Sequence, residues 1–578
     1  MRRLRSSSSL RALLVVVAAG VVVSACNAIF GIEPGQPSGA SATGTGGSAA
    51  TSTGATSAGG AAGATTSAGG ASSASTGSAT SSSTGVVFDF PGDLRWATTP
   101  PNGNGAAFGV AYDPSGNKLF TGSVLLDPAG TSFGGPTFPA GADGADHIFV
   151  AKYDPSDAHV WSHVFPGSTN QWGNAIATDA AGSVFLAGTL QGTADFGDQM
   201  LTATAPADDA GGFDGADIFV AKLTSGGQTT WSAKLGDAED QYGFRTAVDS
   251  KGNLIVAGAG RGQIPFTGAT KGYANDPLPT GIFVVKLSGD GQPLWLWKFP
   301  VDYDCHFGFY QTECAPVGLA VDASDNIVLV TTSKSDLPNA YVGLGEAVPN
   351  KYRSLDGGHD IALWKLDANG DTVWGRVLGG DDADPAQNSD QWASTVAVDP
   401  AGDIVIGGAF SRSVRFGKSA GQHVITGSPT DLDAFVAKLS PAGDPLWEKA
   451  FGDLGDQEVK SLAVDAFGNI GLTGDIQYDP AALGVDFGTG PLGAPSDGGM
   501  DIGPDYFIAK LDAQGKGLWA KRLYAIFEQH GLAIALDRSD PTQPGRTLTG
   551  GWRDMAPTSS PWRDSGRFRR SSSISFAA

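Results

Sequence analysis

From residue 86 onward, β-branched, aromatic and aliphatic residues fall in short runs of roughly five to eight, broken by Gly, Asn and Asp. No stretch carries the i, i+3, i+4, i+7 spacing of an amphipathic helix, so the pattern predicts strands joined by tight turns. The runs repeat a phrase. Residues 217–223 read DIFVAKL, a turn follows, and then come Trp231, TAVD at 246–249 and GNLIVAG at 252–258. The opening run recurs at 147–153, 282–287, 361–366, 434–439 and 506–511. The tryptophan recurs as Trp96, Trp161, Trp231, Trp295, Trp374, Trp447 and Trp519, at intervals of 65, 70, 64, 79, 73 and 72 residues. Residues 86–578 thus divide into seven units of about 70 residues.

Each unit offers four strand-like runs, and four antiparallel strands make one blade of a radial, closed architecture that leaves only short edges. The fold expected is all-β: a single seven-bladed β-propeller over residues 86–578. After TLTG at 547–550 the last unit departs from its neighbours, ending in a basic stretch at 567–570 and a serine run. The chain's two ends are expected to meet in one blade, whose opening strand is either 86–90 or a segment supplied by Ile574 to Phe576.

The phrases DIFVAKL, LW.K and AVD..GNI..TG resemble the bacterial beta-propeller repeat (SBBP) of extracytoplasmic proteins, over about 85% of the chain. Residues 366–374, LDANGDTVW, are similar to the tryptophan-docking motif of quinoprotein-type propellers, a packing device rather than a cofactor site. The resemblance implies a fold and hardly any activity, because fold does not fix function.

Composition changes the picture at the N-terminus. Arg2, Arg3, Arg5 and Arg11 precede an apolar stretch from Ala12 to Ala25, interrupted only by Ser24. Such a run is too short for a spanning helix, which needs about 20 residues, and reads as a signal peptide over 1–25. The residues before Cys26, Val23-Ser24-Ala25, resemble a lipobox, which implies lipidation of Cys26. Asn27 in the next position leans, by the habit of such proteins, toward the outer membrane or cell surface of a bacterium. Residues 36–84 are almost wholly Gly, Ala, Ser and Thr without charge, so 26–85 is expected to be a disordered linker, with an end-to-end distance of about 40 Å.

With 37 Lys and Arg against 59 Asp and Glu the net charge is −22, which disfavours nucleic acid and anionic membrane surfaces as partners. The recurrent Asp-x-x-Gly-Asn/Asp turns at 249–253, 399–403 and 465–469 suggest cation loops, but an Asp that caps its own turn followed by a Gly that closes it explains their recurrence better. One tryptophan per unit at one phase reads as a wedge between blades rather than a sugar platform. His159 and His163, four residues apart on a strand, lie about 13 Å from each other and cannot share a zinc ion. HExxH and P-loop patterns do not occur in the sequence. Cys305 and Cys314 bracket an insert and, in an oxidising compartment, are expected to form a disulfide.

Turns after the first and third runs are short, and the other connections are long and acidic: Asp237, Glu239 and Asp240; Asp302 and Asp304; Asp381, Asp382, Asp384 and Asp390; Asp453, Asp456 and Glu458. Long loops on a rigid scaffold are where recognition sits, so this face is expected to take a protein or glycan ligand. Asp381, Asp382, Asp384 and Asp390 are the candidate cluster for weak Ca2+ binding or for a basic partner. The function expected is that of a membrane-tethered extracytoplasmic scaffold. The competing reading is an extracellular glycan-acting or quinoprotein-like enzyme, which requires acids that converge at one end of the ring.

Overall fold

The computed structural model describes residues 94–98, 104–139, 144–204, 215–272, 278–300, 317–334, 359–380, 389–417, 422–477, 483–493, 504–523, 529–539, 546–553 and 574–577. Cys26, Cys305, Cys314, Asp381, Asp382 and Asp384 lie outside them, as do the signal and linker segments. Among the described residues every regular element is a β-strand.

Seven up-and-down antiparallel sheets carry the fold. The first consists of Asn104–Tyr112, Lys118–Leu125, Asp146–Tyr153 and His159–Phe165. The second consists of Gln171–Thr178, Val184–Leu190, Asp217–Leu223 and Thr229–Leu235. The third has Gln241–Val248, Leu254–Gly262, Leu278–Leu287 and Pro293–Pro300, with Ala269–Gly272 added in parallel to its last strand. The fourth runs Val317–Val321, Ile327–Lys334, His359–Leu366, Thr372–Leu378, and the fifth Gln391–Val398, Ile404–Phe410, Asp433–Leu439, Pro445–Phe451. The sixth comprises Gln457–Val464, Ile470–Gln477, Pro504–Leu511 and Gly517–Leu523. The seventh is composite: Gln529–Leu536, Thr547–Arg553 and Ile574–Ala577, completed by Leu94–Thr98 as its outermost strand.

The first strands touch one another in sequence, and that of the seventh sheet touches that of the first, so the sheets close a ring around these inner edges. The sequence phrase straddles this arrangement. DIFVAKL and the tryptophan supply the third and fourth strands of one sheet, while AVD and GN supply the first and second strands of the next. Of the two expected closures, Ile574–Ala577 is the one that pairs with the strand bearing Trp96.

The core is a set of apolar seams between neighbouring sheets rather than one central mass. Leu119 and Ile148 of the first sheet meet Ile176 and Val184 of the second, and so on around to Leu548 of the seventh against Phe120 of the first. Second and third strands are covered on both faces, which is why they read as continuous apolar runs: every residue of Val184–Leu190 is buried. Fourth strands such as His159–Phe165 and Thr229–Leu235 are more exposed, whereas that of the third sheet, covered by Ala269–Gly272, is buried from Trp295 to Phe299.

Six first strands carry a β-bulge at one level, at Phe108, Asn174, Phe244, Ser394, Lys460 and Leu532. The residue opposite on the second strand is Gly122, Gly188, Gly258, Gly408, Gly474 or Gly551, where a Cβ would lie 1.7–2.1 Å from a first-strand carbonyl oxygen. The bulge therefore accounts for the glycine of the TG phrase.

Candidate functional site

The repeated residues hold the ring together. The aspartate that opens each first turn accepts, through Oδ1, the N–H groups two and four residues on, as Asp249 does from Lys251 and Asn253 at 2.9 Å. Its other oxygen meets the lysine of the third strand: Lys152–Asp113 2.8 Å, Lys286–Asp249 2.9 Å, Lys365–Asp322 2.9 Å, Lys438–Asp399 2.7 Å and Lys510–Asp465 3.2 Å. Burial works against the Asp249 carboxylate, but hydrogen bonds from Lys286 and Asn253 outweigh it and hold the pKa below the usual range. In the seventh sheet, whose third strand has no such lysine, Arg546 pairs with Asp537 at 2.7 Å instead.

The tryptophans are latches between sheets. The indole N–H of Trp161 donates to Ser225 O of the next sheet, that of Trp231 to Gly289 O, and that of Trp447 to Ala513 O, at 3.0, 3.0 and 3.2 Å. Each ring packs on a turn glycine with positive φ: Gly227, Gly291 and Gly515. This places the tryptophans as wedges, as their common phase predicts.

The described acids of the long connections are also employed in the fold. Asp240, Asp390 and Asp456 each accept the backbone N–H at or just before the third strand of the preceding sheet, from Ala216, His359 and Leu432, at 3.0 Å. Asp390, the one described member of the proposed cation cluster, takes both the amide N–H and Nδ1 of His359 on Oδ1. Asp240, Asp390 and Asp456 thus act as pins between adjacent sheets. Glu458 departs from expectation: it lies not in a loop but within the strand Gln457–Val464.

What does not repeat gathers at the inner rim on the long-loop side. Directly after a buried, loop-capping glutamine (Gln171, Gln241, Gln391, Gln457) stand Trp172, Tyr242, Trp392 and Glu458, and His530 follows Gln529. Ladder register puts all five on one rung, opposite Thr189, Ala259, Ala409, Asp475 and Trp552. The rung is aromatic in the second, third and fifth sheets and ionisable in the sixth and seventh. His359 stacks on Trp392, with centroids 5.7 Å apart.

Between the sixth and seventh sheets four titratable groups meet. Asp475 takes Lys460 Nζ at 2.5 Å, accepts the Gly531 amide at 3.3 Å and pairs with His530 Nδ1. Lys460 is the bulged residue, so the bulge turns its ammonium toward this seam, where Nζ lies 3.4 Å from His530 Nδ1. Burial opposes the Asp475 carboxylate, yet Lys460 and His530 keep its pKa low. Burial pushes Glu458 the other way, up to about 7, partly offset by Lys460 and reinforced by Asp475 and Asp456. An acid poised near neutrality beside a carboxylate-oriented histidine and a lysine is able to exchange protons with a bound molecule. Charge density alone flagged Glu458. Lys460, Asp475, His530, Trp172 and Trp392 escaped, and the signal available was their departure from neighbouring copies at an aligned position. Among the described residues no group of three or more His, Cys, Asp or Glu is placed to hold a metal ion.

A closed ring of radially set four-stranded meanders is the arrangement of a propeller-type repeat protein. The chain is similar to an uncharacterized WD repeat-containing protein of Acanthamoeba polyphaga mimivirus, 24% identical over 351 residues, or 52% of this chain. It spans 23% of that protein's length. No family model matches. Among solved structures, Sqt1 from Chaetomium thermophilum aligns over 84% of this chain and 100% of its own, at 11% identity and a TM-score of 0.37. An alpha-L-arabinofuranosidase from Fusarium graminearum aligns over 76% and 98%, at 11% identity and a TM-score of 0.34.

Proposed function

We propose that the sheets are the blades of one seven-bladed β-propeller, carried outside the cytoplasm on a lipid anchor at Cys26 and a disordered linker, and that it serves as a binding scaffold. Its ligand site is the long-loop rim, and the ligand class favoured is a glycan. One observation carries this reading: repeated side chains are engaged in holding the ring, whereas the non-repeating Trp172, Tyr242, Trp392, Glu458 and His530 share one rung. Indole faces stack on sugar rings, and neighbouring ionisable groups hydrogen-bond hydroxyls.

The test is a glycan array probed with the full chain carrying Cys26→Ser. Binding that is lost in Trp172→Ala, Trp392→Ala supports the proposal, and retention of no glycan by the parent chain refutes it. The Cys26→Ser chain should leave the membrane fraction; persistence there after a salt wash refutes the anchor. Ca2+ at Asp381, Asp382, Asp384 and Asp390, and the Cys305 to Cys314 disulfide, belong to the same proposal. The first requires that millimolar calcium raise Tm less in Asp382→Asn, Asp384→Asn than in the parent, and the second that non-reducing peptide mapping recover the two cysteines joined.

The Glu458, Lys460, Asp475 and His530 cluster favours a second reading, a glycan-acting enzyme. Turnover of an array-positive glycan that falls at least about a hundredfold in both Glu458→Gln and His530→Ala would establish it over the scaffold reading.

A further inference from the structure

Four residues before each turn aspartate, the first strand places a side chain against the first strand of the next sheet. Space there is narrow. A Cβ on Gly109 would sit 3.1 Å from Ala175 Cα and from Ile176 N, and one on Gly318 would sit 2.9 Å from Val396 N. Thr395 Oγ1 and Ser461 Oγ use the position to accept the amides of Leu462 and Ile534, at 3.0 and 3.3 Å. Six sheets accordingly carry small residues: Gly109, Ala175, Gly318, Thr395, Ser461 and Ala533. The third sheet carries Arg245.

Arg245 is half-buried, and of its five N–H donors it uses one described bond, from Nη1 to Phe244 O at 3.0 Å. Among the described residues no carboxylate pairs with it. Buried cations elsewhere in the fold meet acids: Lys286 has Asp249, Lys460 has Asp475, and Arg522 has Asp505. Burial lowers the Arg245 pKa to about 10, which leaves a full positive charge at neutral pH. A desolvated guanidinium without a counter-ion is costly, and its planar fork fits a carboxylate or phosphate in bidentate fashion.

We propose that Arg245 anchors a binding site for an oxyanion-bearing ligand, a carboxylate or a phosphate, at the inner edge of the seam between the third and fourth sheets. Tyr242 and Phe244, stacked at 6.2 Å with 6° between their planes, supply an apolar flank for the body of the ligand. The site shares Tyr242 with the rim, but its test changes Arg245 alone and leaves Trp172, Tyr242, Trp392, Glu458 and His530 intact, so its failure and that of the glycan reading are distinguishable.

The experiment is calorimetric titration of the full chain carrying Cys26→Ser with inorganic phosphate and, separately, with citrate, at fixed ionic strength. Arg245→Met and Arg245→Lys are compared with the parent. A pair of charge-assisted hydrogen bonds is worth about ten- to a hundredfold in affinity. The parent should therefore show saturable binding of at least one probe, weakened by at least about tenfold in Arg245→Met and less in Arg245→Lys. The stronger arm identifies the ligand as phosphate or carboxylate. Equal binding by parent and Arg245→Met overturns the proposal, as does the absence of saturable heat from both probes in the parent.

Discussion

Lys286→Met is the substitution that most directly tests what holds the ring. Lys286 and Asp249 have side chains 4% and 1% exposed, and they meet at 2.9 Å. Lys286 also donates to Ala368 O of the neighbouring sheet at 2.9 Å, with Nζ 5.9 Å from the Trp295 ring centroid. Removing one partner of a buried pair destabilises by about 3–5 kcal/mol, and the low end applies because Asp249 keeps Asn253 and two amides. If the ring melts as one unit of nearly 500 residues, an unfolding entropy of about 2.1 cal/mol/K per residue turns 3 kcal/mol into a Tm loss of about 3 °C. If each sheet melted alone, the same loss would move one transition by roughly 20 °C and leave the others in place. Scanning calorimetry distinguishes the two. The sign of the pH effect is also fixed. The Asp249 pKa is depressed in the fold, so the pair's contribution is complete above the unfolded pKa and disappears as pH falls through the folded value. The difference between parent and Lys286→Met should therefore persist from pH 7 to about pH 4 and shrink below it. A variant within 1 °C of the parent at pH 7, or an Asp249→Asn, Lys286→Met cycle with coupling below about 0.5 kcal/mol, would refute the argument.

Gly291→Ala places a Cβ 3.0 Å from Trp231 at φ +79° and should cost about 1–2 kcal/mol, visible as a lower Tm and altered tryptophan fluorescence. The folded pKa of Glu458, about 7, lies above its unfolded value, so stability is complete below the unfolded pKa and falls as pH rises toward 7. Glu458→Gln should remove that slope and raise stability at pH 8 by roughly 2–3 kcal/mol, measured as Tm against pH. Deleting residues 574–578 removes the partner of Leu94–Thr98 and should lower the Tm of the whole ring, not of one sheet. A transition of unchanged midpoint counts against closure by the two ends.

Strands and turns were legible in the sequence because each depends on neighbours within a few residues, as Asp465 caps its own turn through Phe467 and Asn469, and the tryptophan latches were legible because they recur at one phase, although Trp231 reaches Gly289 of the next sheet. The ion pairs were not, since Lys286 reaches back across the whole second-to-third connection to Asp249. The rim was hidden for a different reason. Trp392, Glu458 and His530 share a rung only because each strand enters the sheet at the same register, which depends on bulges that composition does not reveal. The pinning role of Asp456 was hidden as well, because charge density looks the same whether a carboxylate is hydrated or holds an amide of the neighbouring sheet.

Closure through Leu94–Thr98 and Ile574–Ala577 also sets an order of events in biosynthesis. Leu94–Thr98 is made among the first strands of the fold, yet its partner follows some 480 residues later. Until then Leu94–Thr98 has an unsatisfied edge, and the seam between the seventh and first sheets, where Leu548 meets Phe120, has only one wall. Completing the ring thus works as a length check on the polypeptide: a copy without Ile574–Ala577 keeps an open edge able to pair with another chain. A finished one hides it.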